Sequence, residues 1–94
     1  MWILESTEGI FRLKPGAIKT VGRAPRADFI LDVALVSRLH CRITADADAL
    51  EVVDLSSTNG TFVNDKRVEK AQLKTGDRLR IGRVELTVDK QTNG

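Results

Sequence analysis

Four stretches hold most of the side chains able to do chemistry: Gly22-Arg23, Ser37-Arg38-Leu39-His40, the run "SSTNGT" from Ser56 to Thr61, and Asn64 beyond it. They offer guanidinium, hydroxyl and amide groups with no carboxylate among them, which is the composition of an anion site. Arg23 can grip a phosphate with a two-pronged guanidinium that Lys cannot imitate. Ser37, Arg38 and Thr58 supply further donors, and backbone N–H groups in tight turns add more. Asn59 carries an amide that both donates and accepts, suited to the backbone of an extended peptide rather than to a charge. Each residue also has a plainer role. Gly22 can end a strand, Arg23 can be a surface cation, Ser37 can cap a turn, and His40 can be a satisfied, half-buried histidine. Asn59-Gly60 reads as a type I′ hairpin turn between "LEVVDL" and "TFV", with positive φ at both residues.

The elements that must position these groups read as short strands. "WILE", "IFRL", "AIKTVG", "FILD", "LHCRITA", "LEVVDL", "TFVN", "RV", "RLRIG" and "VELTVD" are separated by Gly, Pro, Asn or Asp turn-formers, with an irregular "VALVS" before Arg38. Alternation puts Leu39, Cys41 and Ile43 on one face and His40, Arg42 and Thr44 on the other. Leu79 and Ile81, then Val84, Leu86 and Val88, point inward by the same rule. No segment keeps a helical period. The pattern predicts an all-β fold, an antiparallel sandwich or barrel.

Ninety-four residues suffice for one domain and not two. Residues 1–90 read as that domain and 91–94 as a tail or the start of a linker. The net charge of +2 is too mild to argue for nucleic acid. The basic run "DKRVEKAQLKTGDRLRIGR" reads as the solvated face of a late hairpin. One Cys and one His leave no disulfide framework and no structural zinc site, so no metal or cofactor is expected. No run is long enough to span a membrane, and "MWILESTEG" does not read as a signal peptide, which predicts a soluble intracellular protein. Ser37, His40 and Asp54 are triad residue types without a nucleophile-elbow motif. His40 and Cys41, as neighbours in a predicted strand, face apart and cannot form a dyad. Catalysis is not expected.

"GR" near the third strand, "SRLH" some fifteen residues on, "STNGTFVN" after two more strands, and the late "LKTGDRLRIG" together resemble the forkhead-associated (FHA) domain over nearly the whole chain. The resemblance implies a β-sandwich of about eleven strands that binds phosphothreonine peptides through loops at one end. It implies that Arg23 and Ser37 contact the phosphate, that Arg38 and Thr58 bind beside it, and that Asn59 bonds the peptide backbone. Gly22, His40, Gly60 and Asn64 would support the loops without touching ligand. A small apolar niche for the threonine methyl, worth roughly 1 kcal/mol, would favour phosphothreonine over phosphoserine. Flanking specificity would come from the loop holding Ala34, Leu35 and Val36, whose lack of charge predicts an apolar or undemanding residue there. The implied partner is a phosphothreonine-bearing protein, with no nucleic acid and no membrane, the isolated domain being monomeric and part of a larger protein. The "MW" start resembles nibrin-like proteins, which implies a nuclear DNA-damage setting. An FHA-fold scaffold or dimerisation domain acting without phosphate is the alternative.

Overall fold

A computed structural model describes residues 1–91. The predicted tail, Gln91 apart, lies outside the described residues. Eleven strands form: β1 (Trp2–Ser6), β2 (Gly9–Leu13), β3 (Ile18–Gly22), β4 (Phe29–Ile30), β5 (Cys41–Ala45), β6 (Leu50–Asp54), β7 (Thr61–Val63), β8 (Lys66–Val68), β9 (Lys70–Leu73), β10 (Arg78–Ile81) and β11 (Val84–Lys90). They make two sheets, one in the order β2-β1-β11-β10-β7-β8 and one in the order β4-β3-β5-β6-β9. Every pairing is antiparallel except β3 with β4. The fold is an all-β sandwich, not a barrel.

The core lies between the sheets and follows the alternation of the strands. Leu79 and Ile81 on β10, and Leu86 and Val88 on β11, are buried against Cys41 and Ile43 of β5 and Leu50 and Val52 of β6. Inward residues alternate with solvated ones, as expected when each sheet has one dry face. At the sandwich edge Phe11 and Phe29 stack across the gap, ring centroids 4.4 Å apart.

Two local readings change. β6 and β7 lie in different sheets, so the Asn59-Gly60 segment is a crossover from one sheet to the other and not a hairpin. Gly60 has φ 89° while Asn59 has no positive φ, so the type I′ geometry is absent. The basic late run also divides between sheets: β8 pairs with β7, and β9 pairs with β6. It is therefore no hairpin, although its Lys and Arg side chains are largely exposed.

Strand direction collects the loops of interest. The C-terminal ends of β3, β6 and β10 and the N-terminal ends of β5, β7 and β11 lie at the same end of the sandwich. Met1 and Gln91 bond each other's backbone at the start of β1 and the end of β11, which is the opposite end.

Candidate functional site

The loop between β3 and β4 begins with Gly22-Arg23 and rests directly on Ser37–Leu39. Arg23 N–H donates to the Ser37 carbonyl and Ala24 N–H to the Arg38 carbonyl, each at 3.0 Å. A Cβ on Gly22 would overlap the Arg38 carbonyl oxygen and come within 2.9 Å of the Leu39 Cα. Only glycine lets these two backbones approach so closely, and that approach sets Arg23 beside Ser37.

His40 ties the Ser37 loop to the β6–β7 crossover. The ring is wholly buried. Its Nδ1 accepts the Ser37 N–H at 3.0 Å, and its Nε2 lies 2.8 Å from the Gly60 carbonyl. A carbonyl can only accept, so Nε2 carries the proton and the neutral ring satisfies both partners. β5 begins at Cys41, so His40 is not a strand residue, and it lies buried where alternation placed it opposite the buried Cys41.

The crossover itself is folded around Asp54. Its carboxylate accepts the Ser57 hydroxyl and N–H and, at 2.7 Å, the Thr61 hydroxyl. The Ser57 oxygen in turn accepts the Gly60 N–H at 3.0 Å. Partial burial pushes the Asp54 carboxyl up, but the bonds from Ser57 and Thr61 outweigh it and hold the group below its usual range. Ser57 has no assigned role in the sequence reading. The available signal is an Asp followed three residues later by Ser, a side-chain turn that competes with the hairpin suggested by Asn-Gly.

On this scaffold the groups with unused capacity converge. Ser37 Oγ accepts the Thr58 N–H at 3.0 Å, which leaves its own proton free to donate. Asn59 Nδ2 donates to the Leu35 carbonyl at 3.0 Å, so half of its donor capacity is spent within the protein while Oδ1 stays free. Leu35 sits at φ 73° and is 43 % exposed. Such a backbone costs a non-glycine residue roughly 1–2 kcal/mol. The Asn59 bond holds it, as does the close approach of Gly82, whose Cβ would come 2.9 Å from the Leu35 carbonyl. One open groove is lined by Arg23, Leu35, Ser37, Arg38, Thr58 and Asn59, with Val36 and Leu39 among its apolar atoms. Arg23 and Arg38 are exposed, and neither makes an ion pair among the described residues.

Of the loop "VALV", Ala34 and Leu35 are exposed, Val33 is half-buried and Val36 is in the core. Asn64 does not join the cluster. It lies at the far end of β7, roughly 13 Å along the strand from Gly60. There it donates to Asp77 and accepts the Arg78 N–H, joining the turns before β8 and β10.

Ser37, His40 and Asp54 do not form a catalytic arrangement. His40 meets the Ser37 N–H and not its hydroxyl, and Asp54 is engaged by Ser57 and Thr61. Burial pushes the Cys41 thiol far up, which removes it as a nucleophile.

A model of the FHA domain matches residues 19–82, more than half of the chain and all of the groove. The chain belongs to the FHA domain family. FHA domains are interaction modules and not enzymes. This FHA domain is 41 % identical over 70 residues to the glycogen accumulation regulator GarA of Mycobacterium tuberculosis, covering 74 % of this chain and 43 % of GarA. It is 42 % identical over 67 residues to the oxoglutarate dehydrogenase inhibitor of Corynebacterium efficiens, covering 71 % and 47 %. The chain thus spans less than half the length of these relatives. A solved structure from work on phosphothreonine-dependent FHA domain interactions superposes with a TM-score of 0.88 at 35 % identity, covering 97 % of each chain. The relatives overturn the nuclear setting expected from the "MW" start. They are bacterial, and bacteria have no nucleus. The nibrin-like and DNA-damage readings fall with it, because a two-residue match at the strand start carries no weight beside these alignments.

Proposed function

We propose that residues 1–90 form a phosphothreonine-dependent recognition module that binds one segment of a partner protein in the groove between the Ser37 and Thr58 loops. The observation that carries this reading is the convergence of Arg23, the donor-ready Ser37 hydroxyl and Thr58 on a groove with no carboxylate among its lining residues. A phosphate brings about −1.5 to −2 charges and three acceptor oxygens, which that donor set complements. Arg23 and Ser37 contact the phosphate, with Arg38 and Thr58 beside it. Asn59 offers Oδ1 and its second N–H proton to the peptide backbone while its first holds Leu35 in place. Gly22, His40 and Gly60 hold the loops, and Asn64 steadies the opposite end of β7. The exposed Ala34 and Leu35 meet the residues flanking the phosphothreonine and favour apolar ones.

The names of the relatives, a regulator and an enzyme inhibitor, fit a protein that acts by occupying another protein. The partner is a phosphothreonine-bearing protein, and no cofactor takes part. Amide chemical-shift mapping with a phosphothreonine peptide tests the location. The largest shifts are expected at Arg23, Ser37, Arg38, Thr58 and Asn59, and shifts confined to an outer sheet face would contradict it.

A further inference from the structure

A second groove adjoins the first and shares Arg38 and Leu39 with it; its other walls are Ala24, Pro25 and Arg26. Arg26 is exposed, yet its backbone is firmly placed. The turn from Ala24 to Ala27 is closed by the Ala27 N–H bond to the Ala24 carbonyl at 3.0 Å, with Pro25 at the second position of the turn. Ala24 and Ala27 are each only 6 % exposed, so both feet of the turn are sunk in the protein. Ala24 N–H also bonds the Arg38 carbonyl, which fixes the turn relative to the backbone that carries the second arginine.

Among the described residues no carboxylate pairs with either arginine. Asp28, two residues after Arg26, is held by the Thr20 N–H and hydroxyl at 2.9 and 3.1 Å. Asp32 makes no ion pair, and the two ion pairs found among the described residues join Lys70 to Glu51 and Arg78 to Asp65. Two arginines on fixed backbone therefore line a groove that joins the phosphate groove at Arg38 and Leu39, and Leu35 is not among its lining residues.

We propose that Arg26 and Arg38 form a second anion subsite that takes an acidic residue of the same peptide, next to its phosphothreonine. The inference rests on the phosphothreonine reading and gives the ligand a polarity. Its apolar flank lies over Leu35 and its acidic flank over Arg26.

The probe is a series of short alanine-flanked phosphothreonine peptides with one Asp placed at each neighbouring position in turn. Each is titrated calorimetrically against wild type and Arg26→Gln, and the quantity read is the ratio of each peptide's affinity to that of its alanine parent. On one side of the phosphothreonine, Asp is expected to raise wild-type affinity roughly threefold to fivefold, the upper part of the range of an exposed ion pair. That gain should shrink at high salt and fall to near one in Arg26→Gln, whatever that variant's affinity for the parent. Phosphoserine in place of Asp shows whether the subsite takes a carboxylate or a phosphate, and a gain from either supports it. A gain at no position, or one equally large in Arg26→Gln, overturns the subsite. A parent peptide that fails to bind wild type instead overturns the phosphothreonine reading, and the subsite with it.

Discussion

The Ser37 hydroxyl accepts the Thr58 backbone N–H at 3.0 Å, so one side chain joins the two loops that wall the groove and is left with a proton to give. The bond orients a hydroxyl that would otherwise rotate freely. It also sets the spacing between the Arg23 side of the groove and the Asn59 side. Ser37 bonds Thr58, Asn59 bonds Leu35 and His40 bonds Gly60, each across to another loop of the same end, so that end behaves as one unit.

Ser37→Ala removes both the tie and the donor. Folding stability should fall by about 1 kcal/mol, the net value of one such bond. Phosphothreonine-peptide affinity should fall more, by about tenfold or greater, because a bond to a charged group is lost. Thermal melting and calorimetry on the same variant separate the two effects, and equal small losses in both would make Ser37 a structural residue only.

Gly22→Ala places a methyl group on the Arg38 carbonyl. The loop must move away, at a cost of about 1–3 kcal/mol. Peptide affinity should drop even under conditions where the variant is folded, since Arg23 and Ser37 no longer meet across the same gap. Unchanged affinity in a folded variant would show that their spacing is not critical.

Asp54 links stability to acid. Its folded carboxyl is held below the unfolded value, so the stability it contributes is present above about pH 4 and is lost as the pH falls through the lower, folded value. Asp28 and Asp46 shift in the same direction, through bonds from Thr20 and from the Asp48 and Ala49 N–H groups. Asp54→Asn should therefore cost about 2 kcal/mol near neutral pH and show a shallower, not absent, acid limb. Denaturant melts from pH 2 to 7 read this directly, and parallel acid limbs in the two proteins would remove Asp54 as the cause.

The core was legible in the sequence because its signal is periodic. "RLRI" and "VELTV" alternate cleanly, and the residues on their apolar faces are the buried ones. β9 was missed because "KAQL" contains no β-branched residue and only Leu73 of it is buried. Most groove residues were legible from their chemical types and spacing. The shape of the crossover was not, since Asn59-Gly60 carries a strong hairpin signal. What overrides it is the set of bonds made by Asp54, Ser57 and Thr61, which shows no periodicity. The left-handed Leu35 was equally hidden, because it depends on Asn59 and Gly82, which are distant in sequence.

Whether Arg23 binds a phosphate on threonine is decided by one titration. A phosphothreonine peptide, its phosphoserine twin and the unmodified peptide are measured against wild type, Arg23→Lys and Arg23→Ala, each variant first shown to be folded by circular dichroism. Wild type should bind the phosphothreonine form several-fold more tightly than the phosphoserine form, with the unmodified peptide far weaker. Arg23→Lys should keep only part of that affinity, since it supplies charge without the two-pronged grip, and Arg23→Ala should abolish it. Equal binding of all three peptides, or full affinity in folded Arg23→Ala, would rule out phosphothreonine recognition through Arg23.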